Sequence, residues 1–444
     1  MSVTLDGAPA EPGAPDDRAL ALDGHGGPQL CAAWADARIA DEYVVYESAN
    51  GLVFAGGVAA RIILTAHTVS VSIGDHTDTR GYSDTPAKAL AAALERLPLP
   101  RWRVYGWTAF EFTSHLSPER RTGRLAELVV PEFEIEVSAD GTVAPESVPA
   151  HLRARLASVA LPAALKSTPL DVRGGGDGFT GRAAAAIAEI RAGRYDKVIL
   201  SRRVSVPFEV DVPHSYAVGR AANTPARSFL LNLSQFEAAG FSPEIVGAVH
   251  RDGTVVTQPL AGTRALHLAG ADPELLRAEL LRDSKEIVEH ALSVQQSCHE
   301  VDAVSVPGTR VVTEFMSVRE RGSVQHLAST VRGQLAPEVS PWEALDMLFP
   351  AVTASGIPKA PAVDAIARLE PQPRGLYSGA VVTTSSDGDL DAALVLRSVY
   401  ASAGGAWLQA GAGIIAQSDP EREFEETCEK LSSVAPYLVR KEIR

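Results

Sequence analysis

The sequence is poor in cysteine, and this shortage excludes two kinds of site. Its 444 residues include three cysteines, Cys31, Cys298 and Cys428, and none belongs to a CxxC pair. A disulfide framework needs more cysteines and a secretory context, and cysteine zinc sites need paired spacing. We therefore expect reduced thiols in a cytoplasmic protein.

The sequence also has no long apolar run. The first residues, MSVTLDGAPAEPGAPDDRA, contain neither the basic nor the apolar region of a signal peptide. Elsewhere no stretch approaches the ~18 apolar residues of a membrane span. We expect no membrane partner.

Positive charge is in short supply, since the formal net charge is −14. An acidic protein is a poor partner for phosphate backbones, so nucleic-acid binding is not expected. A small anionic substrate would be repelled at long range as well. Its site must then be made positive locally, by a metal ion and a few Lys or Arg residues.

The chain divides into three regions by composition. Residues 1–28 are rich in Gly, Ala, Pro and Asp and are predicted to be a flexible tail. A β-rich subdomain is predicted over 29–170. A glycine-rich stretch near residue 174 leads into the third region, 171–440, which holds the candidate functional residues.

The pattern of short β-type runs predicts an α+β fold with large, mostly antiparallel sheets enclosed by outer helices. Consecutive runs are often joined by short turns, which favours antiparallel pairing over the βαβ rhythm of a doubly wound fold. Helices are predicted after Thr85, a plausible N-cap, over 272–298, and from Pro420 near the end of the chain.

Two pairs of glutamates carry the most specific signal. Glu286 and Glu289 are spaced i and i+3, and so are Glu423 and Glu426, which places each pair on one helix face. Four carboxylates brought together would suit Mg²⁺ better than a transition metal. The alternative for either pair is an ordinary solvated face. Lys430, four residues after Glu426, either binds a carboxylate beside the metal or forms an i,i+4 ion pair.

A lysine and a glutamate are candidates for acid–base chemistry. Lys197 opens an apolar strand and is either a solvated edge residue or a desolvated amine able to deprotonate water. Glu244 is either a turn acid or, if its pKa is raised by burial, a proton donor. A base and an acid on opposite sides of a ring can exchange water for a hydroxyl.

Other candidates line a possible anion pocket. Gly262 and Thr263 lie in PLAGTRA, predicted as a compact turn whose N–H groups could hold a carboxylate, or as an ordinary hairpin end. His326 is either a packed core residue or a site residue. Arg397 lies among apolar neighbours and needs an anion, internal or bound.

Three further residues are candidates for the same pocket. Tyr377 offers a phenolic donor before a strand. Thr353 lies in a turn that could line a pocket or simply connect two elements. Gly413 would allow a ligand close to the backbone, or marks a bulge.

These motifs, in this order, resemble the chorismate-utilising enzyme family, which includes anthranilate, isochorismate and salicylate synthases. The resemblance is dense over about 182–438 and looser over 103–112, and it is strongest to salicylate synthases of the mycobactin-siderophore type. It rests on the segments KVILSR, SPEIVGAV, PLAGTRA, SKEIVEHALSV, FPAVTASGIPK, RGLYSGAV, LRSVY and AGAGIIAQSDPEREFEETCEKL.

The resemblance implies a single compact fold that binds chorismate and converts it to isochorismate, and then, by eliminating pyruvate, to salicylate. It implies Mg²⁺ on Glu289 and Glu426, with Glu286 and Glu423 acting directly or through waters. Lys197 would be the base that activates water, Glu244 the acid that protonates the departing hydroxyl, and His326 would assist near the ring carboxylate. The substrate would be held by Gly262, Thr263, Thr353, Tyr377, Arg397, Gly413 and Lys430.

Two positions separate branches of the family. Members that add ammonia carry a non-basic residue in place of Lys197, and aminodeoxychorismate synthases carry a lysine in place of Ala261. Both positions favour a water-using enzyme. We also expect a monomer without an obligatory amidotransferase partner. An isochorismate synthase and an aminating subunit are the alternatives. Gln258 departs from the pattern, because close relatives often have an acidic residue there.

Overall fold

The computed structural model describes residues 26–161, 165–174, 178–266, 272–321 and 324–442. The strands are β1 Tyr43–Ser48, β2 Gly51–Gly56, β3 Ala60–Thr65, β4 Thr68–Ile73, β5 His76–Gly81, β6 Arg103–Thr108, β7 Arg124–Val130, β8 Phe133–Val137, β9 Lys197–Val206, β10 Arg227–Leu233, β11 Phe236–Ser242, β12 Ile245–Val249, β13 Thr254–Thr257, β14 Leu260–Ala265, β15 Val311–Arg321, β16 Val324–Gln334, β17 Gly356–Ile357, β18 Ala380–Ser385, β19 Leu390–Leu394, β20 Ser398–Ser402 and β21 Gly405–Ile414. The helices are α1 Gly27–Asp36, α2 Pro86–Glu95, α3 Arg153–Ala157, α4 Phe179–Arg191, α5 Val212–Ala222, α6 Pro273–Leu280, α7 Ser284–Val304, α8 Pro341–Leu348, α9 Lys359–Leu369 and α10 Pro420–Leu431.

The strands form two large sheets. The first has nine strands in the order β17-β9-β21-β20-β11-β10-β1-β2-β8, and the second runs β14-β16-β13-β12-β19-β18-β6-β7-β3-β4-β5 with β15 added on β16. Every strand pairing within the described residues is antiparallel. The predicted α+β class with mostly antiparallel sheets is confirmed.

The two sheets pack face to face, and the side-chain alternation of β1 shows how. Val44 and Tyr46 point between the sheets and pack in one cluster with Tyr105 of the second sheet. Val45, between them in sequence, packs on the outer side in a cluster with Trp34 of α1. Because successive strand residues face opposite ways, a run of apolar residues in β1 serves both layers.

Helices cover the outer faces, as predicted. Helices α1 and α5 pack on the first sheet, α2, α7 and α8 on the second, and α4, α9 and α10 on the end of the first sheet formed by β9 and β21. The predicted cap is present at Thr85, whose hydroxyl accepts from Lys88 N. The stretch over 272–298 forms two helices, because Asp283 caps a new one by accepting from Lys285 N and Glu286 N.

Each sheet contains strands from before residue 170 and strands from after it. The predicted boundary at residue 170 therefore divides the sequence, while the residues on its two sides form one fold. Most of the predicted tail, 1–25, and the glycines 175 and 176 lie outside the described residues; α1 begins at Gly27. Within the described residues, no helix has the length and apolar character needed to cross a membrane.

Candidate active site

Each glutamate pair begins in the first turn of a helix, where the helix dipole favours negative charge, with Glu286 in α7 and Glu423 in α10. Helix α7 carries Glu286 and Glu289, and α10 carries Glu423 and Glu426. The N-cap of α10 is Asp419, as predicted, and it accepts from two backbone N–H groups of the first turn.

One glutamate of each pair is held by a lysine. Lys197 Nζ lies 2.6 Å from Glu289 Oε1, and Lys430 Nζ lies 2.7 Å from Glu426 Oε1. Lys430 also donates to Gly411 O at 3.0 Å. The i,i+4 ion pair considered from the sequence is therefore formed, in a position where the same ammonium reaches the β21 backbone.

The two pairs face one another across one site. Although burial favours the neutral form of Glu426, the ammonium of Lys430 holds its pKa below the usual value, and the charge of Glu289 acts on it in the opposite sense. Burial raises the pKa of Glu423, and the neighbouring Glu426 adds to that effect. Lys285 of α7 acts electrostatically on both glutamates of α10, which indicates that the starts of the two helices are near each other.

The carboxylate of Glu286 forms a hydrogen bond with strand β14 of the second sheet. Its Oε2 accepts from Thr263 N at 2.9 Å, and burial raises its pKa, with the charge of Glu289 contributing. Burial and like charges raise the pKa values of Glu286 and Glu423, while lysines lower those of Glu289 and Glu426 against the effect of burial. Four neighbouring oxygen-donor side chains form a set that a hard divalent cation such as Mg²⁺ would stabilise. The residues present fit that ion.

Another acidic group lies elsewhere and has a structural explanation. Ligand atoms of Asp36, Asp211 and His214 lie within 4.8 Å of one another. Asp211 is the N-cap of α5, and its carboxylate accepts from His214 N and contacts His214 Nδ1 at 2.8 Å. Capping accounts for the pairing of Asp211 with His214.

Lys197 is not an edge residue. Strand β9 lies between β17 and β21, and only 6% of Lys197 is exposed. Gly413 of β21 pairs with Ile199, which lies two residues after Lys197 on β9. A Cβ at Gly413 would lie 3.3 Å from Lys197 Cε. The glycine therefore leaves room beside the lysine side chain, which reaches the acids of α7.

Glu244 has the properties of a proton donor. It is 3% exposed, and burial raises its pKa to about 7, although Thr353 and the N–H of Leu260 stabilise the ionised form. Thr353 Oγ1 donates to Oε1, and Leu260 N donates to Oε2 at 2.8 Å. The charges of Arg397 and Lys197 also act on this carboxyl, which places it in the same site as the base candidate.

His326 connects two predicted binding residues. Its Nε2 accepts from an Arg397 Nη at 3.1 Å, because arginine has no acceptor. Its Nδ1 therefore carries the proton and donates to Thr263 Oγ1 at 2.9 Å. Burial, together with the charge of Arg397, lowers the pKa of His326 well below its usual value, so the ring is neutral.

Arg397 is a cation without a carboxylate partner in the part of the chain that the structure describes. Its Nη1 donates to Arg321 O at 3.0 Å, and its backbone has a φ of 51°. Burial and the charge of Arg321 lower its pKa to about 10, while Glu244 acts to raise it. A desolvated guanidinium beside a neutral histidine is suited to binding an anion.

PLAGTRA forms a strand, so the predicted turn is wrong. Strand β14 pairs with β16 over Leu260–Ala265, and its register shifts between Ala261 and Thr263. Gly262 makes this bulge with a φ of +80°, and a Cβ there would lie 3.2 Å from Glu286 Cβ. The bulge turns Thr263 N toward the carboxylate while strand pairing continues.

Tyr377 closes the remaining side. It is 2% exposed, and a Cβ on Gly411 would lie 2.9 Å from its hydroxyl oxygen. Burial raises its pKa, and the nearby charges of Arg374 and Lys430 act to lower it. All fourteen predicted site residues thus belong to one continuous set of neighbours.

Two cations of the site were not found from the sequence. Lys285 acts on all four glutamates, and Arg321 lies behind Glu244, donating to Pro243 O at 2.9 Å. The charge next to the glutamate motif could have drawn attention to Lys285. Arg321 reaches the site only through the pairing of β15 with β16, which no local pattern reveals.

The chain is similar to known proteins in both sequence and fold. The family model described as chorismate binding enzyme matches residues 42–436. A salicylate synthase of Mycolicibacterium paratuberculosis is 47% identical over 416 residues, which cover 91% of each chain.

Two solved structures show the same fold. Anthranilate synthase component I from Streptococcus pneumoniae has a TM-score of 0.70 at 25% identity, covering 86% of this chain and 91% of that one. The menaquinone-specific isochorismate synthase from Escherichia coli has a TM-score of 0.68 at 22% identity, covering 91% and 90%. With the family model spanning most of the chain, this protein belongs to the chorismate-binding enzyme family.

Proposed function

We propose that this enzyme is a Mg²⁺-dependent salicylate synthase, which converts chorismate to isochorismate and then eliminates pyruvate to give salicylate. The observation that carries the proposal is the pairing of Lys197, buried at the acidic cluster, with Glu244, a buried carboxyl whose pKa is about 7, in one site. The 47% identity to a salicylate synthase over nearly the whole chain supports it.

The metal would be held by Glu289 and Glu426, with Glu286 and Glu423 acting directly or through waters. When bound, Mg²⁺ supplies charge neutralisation for the ring carboxylate of chorismate. Thr263 and Lys430 lie next to those acids and are placed to orient the same carboxylate. Local cations thereby offset the protein's net charge of −14 toward an anionic substrate.

In the first step Lys197 takes a proton from the water that attacks C2. The new C2–O bond forms, both ring double bonds shift, and the C4–O bond breaks. Glu244 gives its proton to the departing hydroxyl, which leaves as water. Lys197 can act only as an uncharged amine, so its ammonium must first pass a proton to solvent and give up the ion pair with Glu289.

In the second step the C3–O bond breaks as the C2 hydrogen moves to the enolpyruvyl methylene group, and the ring becomes aromatic. This step needs a reactive conformer more than an additional base. Arg397 and Tyr377 would fix the enolpyruvyl carboxylate, and the neutral His326 would hold Arg397 in place from the other side.

Product analysis tests the proposal. Purified enzyme with chorismate and Mg²⁺ should release salicylate and pyruvate in equal amounts, measured by mass spectrometry. Isochorismate accumulating without pyruvate would instead indicate an isochorismate synthase. A product that appears only with ammonia or glutamine would indicate an aminating subunit.

The proposal extends to the setting of the reaction. We propose that the enzyme works in the cytoplasm as a monomer without an amidotransferase and supplies salicylate for siderophore assembly, as the family resemblance implies. Light scattering of the purified protein at micromolar concentration tests the oligomeric state. A tight complex with an amidotransferase on co-purification would contradict it.

A further inference from the structure

A small cavity lies beside Glu244. It is lined by Glu244, Ile245, Thr257, Gln258, Pro259, Ser297, Glu300, Leu348, Ala351, Val352 and Thr353. The space open to the centre of a water-sized sphere is about 10 Å³. That volume corresponds to a single water molecule.

The polar wall of this cavity comes from helix α7. Residues 289, 293 and 297 follow one another at four-residue intervals, so the helix face that carries Glu289 continues to Ser297. Glu300, one turn further on, is ion-paired with the buried Lys359 at 2.6 Å. Helix α7, which carries the metal-binding candidates Glu286 and Glu289, thus also lines the cavity beside Glu244.

The hydroxyl of Ser297 faces the cavity without a hydrogen-bond partner among the described residues. Ser297 is 3% exposed and lines the cavity, and none of the described residues forms a hydrogen bond with its Oγ. Ser293, one turn earlier, instead donates to Glu289 O at 3.0 Å. A buried hydroxyl without a protein partner is ordinarily satisfied by water.

The other polar groups complete the coordination of one water. Gln258 forms only a long contact, 3.5 Å from its Nε2 to Thr330 Oγ1, so its amide oxygen is available. Each oxygen of Glu244 accepts one hydrogen bond from protein and has a second lone pair. Three polar side chains around a one-water cavity meet the requirement of two to four partners.

We propose that this cavity holds one water molecule that links Ser297 to Glu244, and that Ser297 is a positioning residue for the proton donor. This inference rests on the proposed function. Once Glu244 has given its proton to the departing hydroxyl, the water donates to the carboxylate that remains. Without this water, the buried carboxylate of Glu244 would have fewer hydrogen bonds.

The test uses three variants of the full chain. Ser297→Ala removes the water's partner. Ser297→Thr keeps the hydroxyl but adds a methyl group that fills the space. Ser293→Ala is the matched control, because that hydroxyl bonds a backbone carbonyl of the same helix. Melting temperatures confirm that all three are folded.

Two readouts are expected to move together. Crystal structures of the wild type should show one water between Ser297 Oγ and Glu244, absent in both Ser297 variants. Their kcat should fall about tenfold, as expected for a lost hydrogen bond to a charged group, with KM for chorismate nearly unchanged. Ser293→Ala should match the wild type in both.

The pH dependence of kcat is a further measurement, and it would not change if Ser297 had a purely structural role. Losing a donor to the carboxylate raises the pKa of Glu244, so activity should be lost at a higher pH on the alkaline side. The other charged groups that act on Glu244, namely Arg397, Lys197 and Arg321, together with the Glu300–Lys359 pair across the cavity, are unchanged in every variant.

A dry wild-type cavity, or Ser297 variants with wild-type kcat and pH profile, would overturn the inference while leaving the proposed function standing. If the wild type itself forms neither isochorismate nor salicylate, the proposed function is wrong, and the role given to Ser297 fails with it.

Discussion

Lys197 Nζ lies 2.6 Å from Glu289 Oε1, although 92 residues separate them in the chain. This contact joins the first sheet to helix α7 and places the proposed base against a proposed metal ligand. The positive charge of Lys197 lowers the pKa of Glu289 against the effect of burial.

Lys197→Gln should remove water addition while leaving the fold intact. Positioned acid–base groups contribute typically 10²- to 10⁴-fold, so isochorismate and salicylate formation should fall by about that factor. The measurement is product formation from chorismate at saturating Mg²⁺. Lys441→Gln, which removes an exposed partner of Glu209, is the control and should be unaffected. Wild-type turnover in Lys197→Gln would show that another group is the base.

Glu289→Gln should weaken Mg²⁺ binding. A direct ligand should matter more than the outer-shell partners of a metal, whose loss typically costs roughly 10- to 100-fold in affinity or activity. Calorimetric titration of Mg²⁺ into the substrate-free protein measures the change without relying on turnover. The control is Glu425→Gln, since Glu425 lies on α10 but pairs with the exposed Arg173. Equal Mg²⁺ affinity in wild type and Glu289→Gln would contradict the metal assignment.

Glu244 couples activity to pH and to stability. Its carboxyl must be protonated to act, so activity should fall as the pH rises above about 7. A carboxyl whose pKa is raised on folding contributes its full stability below its unfolded pKa, and that contribution is lost as the pH rises through the folded value. The shift of the Glu244 pKa from 4.5 to about 7 corresponds to about 3 kcal/mol in the free energy of unfolding.

Glu244→Gln should therefore abolish turnover and make the melting temperature less sensitive to pH between about 5 and 8. Differential scanning fluorimetry across that range, on both proteins, is the measurement. If the variant loses stability with rising pH as steeply as the wild type, the ionisation responsible belongs to another group.

Arg397→Met should separate binding from stability. Removing a charge-assisted hydrogen bond to a substrate carboxylate should raise KM for chorismate by about 10- to 100-fold. Because Arg397 has no carboxylate partner within the described residues, the same change should leave the melting temperature equal or higher.

Arg374→Met is the contrasting variant. Arg374 is 2% exposed and ion-paired with Glu370 at 2.6 Å, so its loss leaves a buried carboxylate and should destabilise the protein. If Arg397→Met is destabilised as strongly as Arg374→Met with an unchanged KM, Arg397 is structural and does not bind substrate.

Local patterns in the sequence were sufficient for much of the fold. The short β-type runs, the caps at Thr85 and Asp419, and the i,i+3 spacing of the glutamates each depend on neighbours within a few residues. Such signals are set by backbone geometry and hydrogen bonding within one element, so they can be read without knowing the tertiary structure.

Features made by distant residues were missed or misplaced. The bulge at Gly262 exists because β14 pairs with β16, so PLAGTRA reads locally as a turn. The raised pKa of Glu244 comes from burial, which its own segment cannot specify. The cavity beside Ser297 needs α7 to pack behind the second sheet. Each depends on contacts across more than ten residues of sequence.

Isotope labelling tests the central claim most directly, because attack of water at C2 fixes the origin of one oxygen atom in the product. Chorismate should be converted in H₂¹⁸O with Mg²⁺, and the salicylate analysed by mass spectrometry. We predict one ¹⁸O atom, in the phenolic hydroxyl, and unlabelled salicylate when the reaction is run in ordinary water. Salicylate formed in H₂¹⁸O without the label would contradict the proposed roles of Lys197 and Glu244.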